Sequence, residues 1–208
     1  MNFYVTSDWH LNHENIKTYC QRPADFTELI LKRHNQTVTD NDVVFMLGDV
    51  AIGKKAEAVD LIRQMKGGLM LVRGNHDRDK SCGWWMQNGF DFACDSFTFR
   101  NVLFTHEPAE PELKLEFNSW DSTALPRRVC PMGREFNVHG HLHNIWDGFV
   151  NPDDPRNTGS PRPTKLHYPW QRLFSIEYTD YRPVEIGKFL AHPERYQATG
   201  PKGSQHVS

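Results

Sequence analysis

The stretch LMLVRGNHDRD, residues 69–79, runs four apolar residues into an amide, an imidazole and two carboxylates. Leu69 to Val72 read as a strand buried on both faces, and Gly74 ends it. A segment that changes so abruptly from apolar to coordinating side chains places Asn75, His76, Asp77 and Asp79 at the C-terminal end of a strand. In an open α/β sheet that edge is where ligands bind.

The same pattern recurs along the chain. Phe3-Tyr4-Val5 is β-prone and leads into Asp8-Trp9-His10, and Val43 to Leu47 form an apolar run ended by Gly48-Asp49. Val102 to Thr105 precede His106, and Phe136 to Val138 precede Gly140-His141-Leu142-His143. Residues 26–36 and 54–66 carry apolar positions at helical spacing, with Gly67-Gly68 closing the second. A late strand is expected over 173–178. The alternation predicts an α/β fold whose strand-rich second half makes the sheets mixed.

Residues i and i+2 of an extended segment point the same way, so Asp8 with His10, and His141 with His143, form pairs on one side. Gly48, Gly74 and Gly140 each directly precede a candidate ligand, where a residue without Cβ allows a sharp exit and a close backbone approach. Imidazole, carboxylate and one amide oxygen, without thiolate, suit Mn, Fe or Zn better than calcium or copper(I). Asp8, His10, Asp49, Asn75, His106, His141 and His143 are seven candidate ligands, too many for one ion and about right for two that share a bridge.

The ordered set D-x-H, G-D, G-N-H-D, H and G-H-x-H, from Asp8 to His143, resembles the calcineurin-like metallophosphoesterase superfamily. The opening SDWHLNHENI and the late IEYTDYRPV are similar to a small bacterial or phage branch of it. The resemblance implies a metallo-dependent phosphatase sandwich, with mixed β-sheets flanked by helices and the metal site at strand C-terminal ends. It implies Asp8, His10 and His143 on one divalent ion, Asn75, His106 and His141 on a second, and Asp49 between them. Manganese is the first expectation, with Fe, Zn, Ni or Co as alternatives. Two ions roughly 3.5–4 Å apart would activate water toward neutrality and stabilise in-line attack at phosphorus. His76 is then expected to contact substrate as general acid or phosphate stabiliser, and Asp77 to orient its neighbours.

The activity expected is dinuclear, metal-dependent hydrolysis of a phosphoester, as a phosphodiesterase or nucleotide phosphatase on a small phosphoester or nucleotide. The alternatives are a non-catalytic interaction module on the same fold and a protein phosphatase. That last branch typically reads G-D-x-V-D-R-G, whereas this chain reads Gly48-Asp49-Val50-Ala51-Ile52-Gly53-Lys54, without the second aspartate and the arginine.

Composition sets the outer bounds. A chain of 208 residues with formal net charge -2 predicts one domain over 1–199 and no global basic field to draw nucleic acid. Residues 200–208 read as a disordered tail. Cys20, Cys82, Cys94 and Cys130 lack any paired short spacing and read as reduced thiols. No window reaches transmembrane length and no basic start precedes an apolar stretch, so a soluble, cytoplasmic protein is expected, of undetermined oligomeric state. Two long polar stretches, 107–134 and 144–170, read as loops framing the site. They hold Arg127, Arg128, Arg134, Arg156 and Arg162, suited to phosphate oxygens, and Trp120, Trp146 and Trp170, suited to stacking on a base or anchoring the loop. Trp9, Trp84 and Trp85 are expected in the core. His139 is expected to orient a ligand or to pack, and His13 and Asn15 to lie near substrate. His34, His167, His192 and His206 carry no expected role.

Overall fold

The computed structural model describes residues 1–53, 55–117, 124–144 and 168–196, with backbone only for residues 113–117 and 124–128. Its first sheet is built from β1 (Phe3–Thr6), β2 (Val43–Met46), β3 (Gly68–Val72), β4 (Phe92–Cys94) and β11 (Val184–Glu185). The order is β11-β1-β2-β3-β4, parallel throughout except for the antiparallel β11. The second sheet contains β5 (Phe97–Phe99), β6 (Val102–Phe104), β9 (Phe136–His139) and β10 (Gln171–Leu173), in the order β10-β9-β6-β5. Here β5 is the antiparallel member.

Phe45 of β2 joins the sheets. Its ring meets Phe97 at 4.8 Å and Phe104 at 5.1 Å, both edge-on, the arrangement that aromatic quadrupoles favour. Helices α2 (Phe26–Thr37), α3 (Lys55–Ile62) and α4 (Cys82–Gln87) add Phe26, Ile30, Ala58, Ile62 and Trp85 to the same apolar cluster. The described residues also form α1 (Ile16–Tyr19) and α5 (Ile186–Ala191). Ser81 caps α4 by accepting from the Trp84 amide at 3.1 Å, which satisfies one of the free N–H groups of its first turn. Trp9 and Trp85 are buried as expected, and Trp84 is half-buried. His34 is buried too, with Nε2 donating to the Lys66 carbonyl at 2.9 Å.

Register decides where the chemistry emerges. Thr6 lies opposite Met46, which lies opposite Leu71, so the segments after β1, β2 and β3 leave the sheet at one level. In the second sheet Phe104 lies opposite Val138, and just beyond them the Gly140 amide donates to the His106 carbonyl at 3.0 Å.

Two expectations need correction. The late strand over 173–178 stops at Leu173: Phe174 donates one further bond to the His139 carbonyl, and Ile176–Thr179 then form a 3-10 turn ended by Asp180 in the left-handed region. Leu173 to Ile176 are all buried, which imitated a strand, while the turn is what carries the Glu177 side chain inward. The stretch 107–134 is not all loop, since β7 (Glu112–Phe117) and β8 (Ala124–Val129) form an antiparallel hairpin. Glu-Leu-Lys-Leu-Glu-Phe alternates with the period of a strand, and Pro126 is tolerated because both strands of a two-stranded sheet are edges. Arg134 donates to the Arg100 carbonyl, before β6, whereas His106 follows β6. The side chains of Trp120, Trp146, Arg127, Arg128, Arg156 and Arg162, His167 and His206, and the tail 200–208, lie outside the described residues.

Candidate metal centre

All seven candidate ligands meet at the shared edge of the two sheets. Five of them, Asp8 (φ 54°), His10 (φ 47°), Asp49 (φ 57°), His141 (φ 70°) and His143 (φ 50°), sit in the left-handed region. Asp and His tolerate that region better than most residues, yet each placement costs on the order of 1–3 kcal/mol and persists only where the surroundings impose it. The surroundings are close backbone packing: a Cβ at Gly74 would overlap the Asp49 carboxylate, and one at Gly140 would overlap Ser7 Oγ and Asp8 Oδ2.

Six of these side chains form two groups whose ligand atoms lie within 4.8 Å of one another, Asp8 with His10 and His143, and Asp49 with His106 and His141; among the described residues a third such group joins His143 to Cys20 and Glu177. Within the first, His10 Nε2 faces His143 Nε2 at 3.1 Å. Within the second, His106 Nε2 faces His141 Nδ1 at 3.0 Å and Asn75 Oδ1 at 3.0 Å. Asp49 Oδ2 stands between the groups, 3.6 Å from His10 Nε2 and 3.4 Å from His106 Nε2.

The outward nitrogens show why this set fits a cation. His106 Nδ1 donates to the Leu47 carbonyl at 2.6 Å, and His143 Nδ1 donates to Glu177 Oε1 at 3.2 Å. Each ring's N–H is thereby engaged, which leaves the lone pair of Nε2 turned inward onto other acceptors. Bare lone pairs at such separations need a positive charge among them. The same need shows in the electrostatics: although burial opposes it, the Asp49 hydrogen bond and the Asp8 charge raise His106 to about 9. His143 is likewise held well above its ordinary value by Asp8 and Glu177 against its burial. Burial, and then His143, keep His10 well below its ordinary value.

His76 and Asp77 part company here. The His76 amide donates to Asp49 Oδ1 at 3.0 Å and its carbonyl accepts from Lys55 Nζ at 2.6 Å, so the backbone is gripped from both sides. Its ring stays 45 % exposed, with Nε2 4.0 Å from Asp49 Oδ2, at the mouth of the centre. Asp77 is wholly buried and accepts from the amides of Asp49 (2.7 Å), Gly74 (2.8 Å) and Val50 (3.0 Å). It ties the second ligand loop to the third and has no open path to a substrate.

His13 lies beside the centre, its ring 5.6 Å from that of His10, whereas Asn15 is exposed at the start of α1. His139 is fully buried, and burial lowers it to about 4; Nδ1 donates to the Gly140 carbonyl at 3.0 Å, beside the last ligand turn. Arg22, Lys55 and Glu177 touch the candidate ligand turns and were missed by pattern reading, because a single Arg, Lys or Glu carries no motif. Glu177 stands inside IEYTDYRPV, the one signal available for it.

With this geometry in place, comparison with known proteins identifies the class. The family model for calcineurin-like phosphoesterases matches residues 1–207, and the chain belongs to that family, whose members are metal-dependent phosphoester hydrolases. Among its relatives is the uncharacterized protein MJ1445 of Methanocaldococcus jannaschii, 29% identical over 158 residues, 72% of this chain and 75% of that one. The crystal structure of the protein of unknown function AQ665 from Aquifex aeolicus shares the fold, with TM-score 0.61 and 20% identity over 91% of this chain and 98% of that chain. The two mixed sheets flanked by helices are the architecture expected of the family. Among the described residues no helix is long and apolar enough to cross a membrane.

Proposed function

We propose that the chain is a dinuclear phosphoesterase acting on a phosphodiester or a nucleotide, with Asp8, His10 and His143 holding one divalent ion, Asn75, His106 and His141 the other, and Asp49 bridging. The observation that carries this reading is the place of Asp49, one carboxylate oxygen within 3.6 Å of a ring nitrogen from each group. Divalent ions bound there, manganese first among the candidates, would supply Lewis acidity toward water and a phosphoryl oxygen.

The chain's own residues would do the rest. His76, fixed through its backbone and free at its ring, would hold the proton that a leaving oxygen takes or stabilise the phosphoryl group. Asp77 and Lys55 would keep the His76 turn in place. Substrate would extend toward a cavity of about 410 Å³ beside His141, where Glu107, Glu110 and Gln171 offer polar partners and Tyr168 is stacked on Trp170 at 4.6 Å. Those features favour a hydroxyl-bearing, ring-containing substituent over a second phosphate, which supports the nucleotide reading. The four cysteines are unpaired, in keeping with a cytoplasmic enzyme.

The test is metal content with turnover. The parent chain should carry two transition-metal ions and hydrolyse bis(p-nitrophenyl) phosphate. Asp49→Ala should lose activity and fall to one ion or none, because the two cations would then repel each other with less compensation. Full occupancy of both sites with near-normal turnover in Asp49→Ala would refute the bridge.

A further inference from the structure

Behind the Asp8–His10–His143 group lies a buried ion pair that none of the five motifs contains. Arg22 and Glu177 stand 155 positions apart, with Nε and Nη2 of Arg22 donating to Glu177 Oε1 at 3.0 and 2.6 Å. Their side chains are 0% and 5% exposed. A pair so desolvated gains little net stability, and apolar residues of similar volume often fold as well or better. Its place calls for another reason.

Every remaining bond of the pair ends on the ligand loops or on Glu177's own turn. Arg22 Nη2 donates to the Asp8 carbonyl and Nη1 to the Trp9 carbonyl, both at 2.7 Å. Those carbonyls belong to the left-handed turn that presents Asp8 and His10, so the guanidinium fixes the orientation of both side chains. Glu177 Oε1 also accepts from His143 Nδ1 at 3.2 Å, while Oε2 accepts from Ser175 Oγ at 2.6 Å, which holds the carboxylate in place. A carboxylate on the outer nitrogen of a ligating histidine sets its tautomer and raises its donor strength. All three members of the group are thus braced from one side. Among the described residues the pair makes no bond to the Asp49–His106–His141 group, which is held otherwise: Asp77 accepts from the Asp49 amide, His106 leans on the Leu47 carbonyl, and His141 borders the open cavity.

We infer that Arg22 and Glu177 are positioning residues that set the cation affinity of the Asp8–His10–His143 subsite, and of that subsite selectively. The inference rests on the dinuclear reading above. Two double variants that remove the charge pair together separate positioning from stability, since neither leaves a lone buried charge: R22M/E177L, which takes away the oxygen acceptor of His143 and leaves it only the weaker Cys20 sulfur nearby, and R22M/E177Q, whose amide oxygen can still accept from Nδ1.

Metal-free protein is titrated with Mn²⁺ by calorimetry, and thermal unfolding is recorded in parallel. The parent should take up two ions. R22M/E177L should bind one with near-parent affinity and the other roughly 10–100-fold more weakly. R22M/E177Q should recover part of that loss at a similar unfolding temperature, a difference that packing alone does not produce. Unchanged affinity for both ions in R22M/E177L, or equal weakening of both with no recovery in R22M/E177Q, overturns the inference while leaving the dinuclear reading intact. If R22M/E177L fails to fold, Arg22→Lys takes its place, because an ammonium cannot hold both carbonyls and the carboxylate in one plane; both affinities unchanged there overturns it equally. A parent chain that takes up no cation sinks the dinuclear reading and this inference together.

Discussion

Asp77 and His76 are neighbours in the chain with opposite duties. Three backbone amides converge on the Asp77 carboxylate, and burial nonetheless raises its pKa to about 6. Asp77→Asn would turn an NH₂ toward one or more of those amides, leaving donors opposed to donors. It should destabilise the fold by about 1–3 kcal/mol, the usual cost of an unsatisfied buried polar group, and weaken metal binding with it. A chemical denaturation curve indistinguishable from the parent's would remove Asp77 from the positioning role. His76→Ala should keep both the fold and the metals, while kcat falls by roughly 10²–10⁴, the usual worth of a placed acid or base. The deficit should shrink on a nitrophenyl ester, whose leaving group needs no proton; an equal deficit on alkyl and nitrophenyl esters points to phosphate stabilisation instead.

At the scale of elements, α3 does more than cover the sheet. Its first residue, Lys55, is buried, passes its ammonium over the Trp85 ring at 5.7 Å, and donates both to the His76 carbonyl and to Asp79. Helix α3 thereby reaches under the third ligand loop and fixes the turn from which His76 projects. Lys55→Met preserves most of the aliphatic volume and removes the ammonium with its hydrogen bonds, its Asp79 ion pair and its contact with the Trp85 ring. It should lower kcat by about tenfold with metal content unchanged, because a small misplacement of a reacting group is costly. Loss of metal alongside activity would mean that Lys55 supports the ligand loop rather than His76 itself.

Across the whole molecule the centre and the stability of the fold are linked through pH. His106, raised to about 9 in the folded chain from an ordinary value of 6.5, binds its proton more tightly when folded. Its contribution to stability is therefore complete below pH 6.5 and is lost as pH rises through 9. Metal-free protein should lose thermal stability across that window, and Mn²⁺ should abolish the loss, since the ion supplies the positive charge at every pH. A melting temperature that falls equally with and without Mn²⁺ would detach the trend from the centre.

The candidate ligands were legible because their signals are local. D-x-H and G-H-x-H were read as same-side pairs of an extended chain, whereas Asp8, His10, His141 and His143 reach one side through left-handed backbone. Glycine before a candidate ligand follows from the need for close backbone approach, so the class, the candidate ligands and their strand-end placement could be read along the sequence, but not the backbone that presents them. The hairpin of β7 and β8 was also written locally, in the alternation of residues 112–117, but its prolines and charges resembled a loop. The late strand misled because an apolar run does not say whether burial comes from a sheet or from a turn tucked beneath one. Only the tertiary structure could seat Asp49 between the two histidine groups, confine Asp77 to the backbone amides, and join Arg22 to Glu177 across 155 positions. Those three depend on where two separate sheets bring their edges together, a distance that no spacing along the chain encodes.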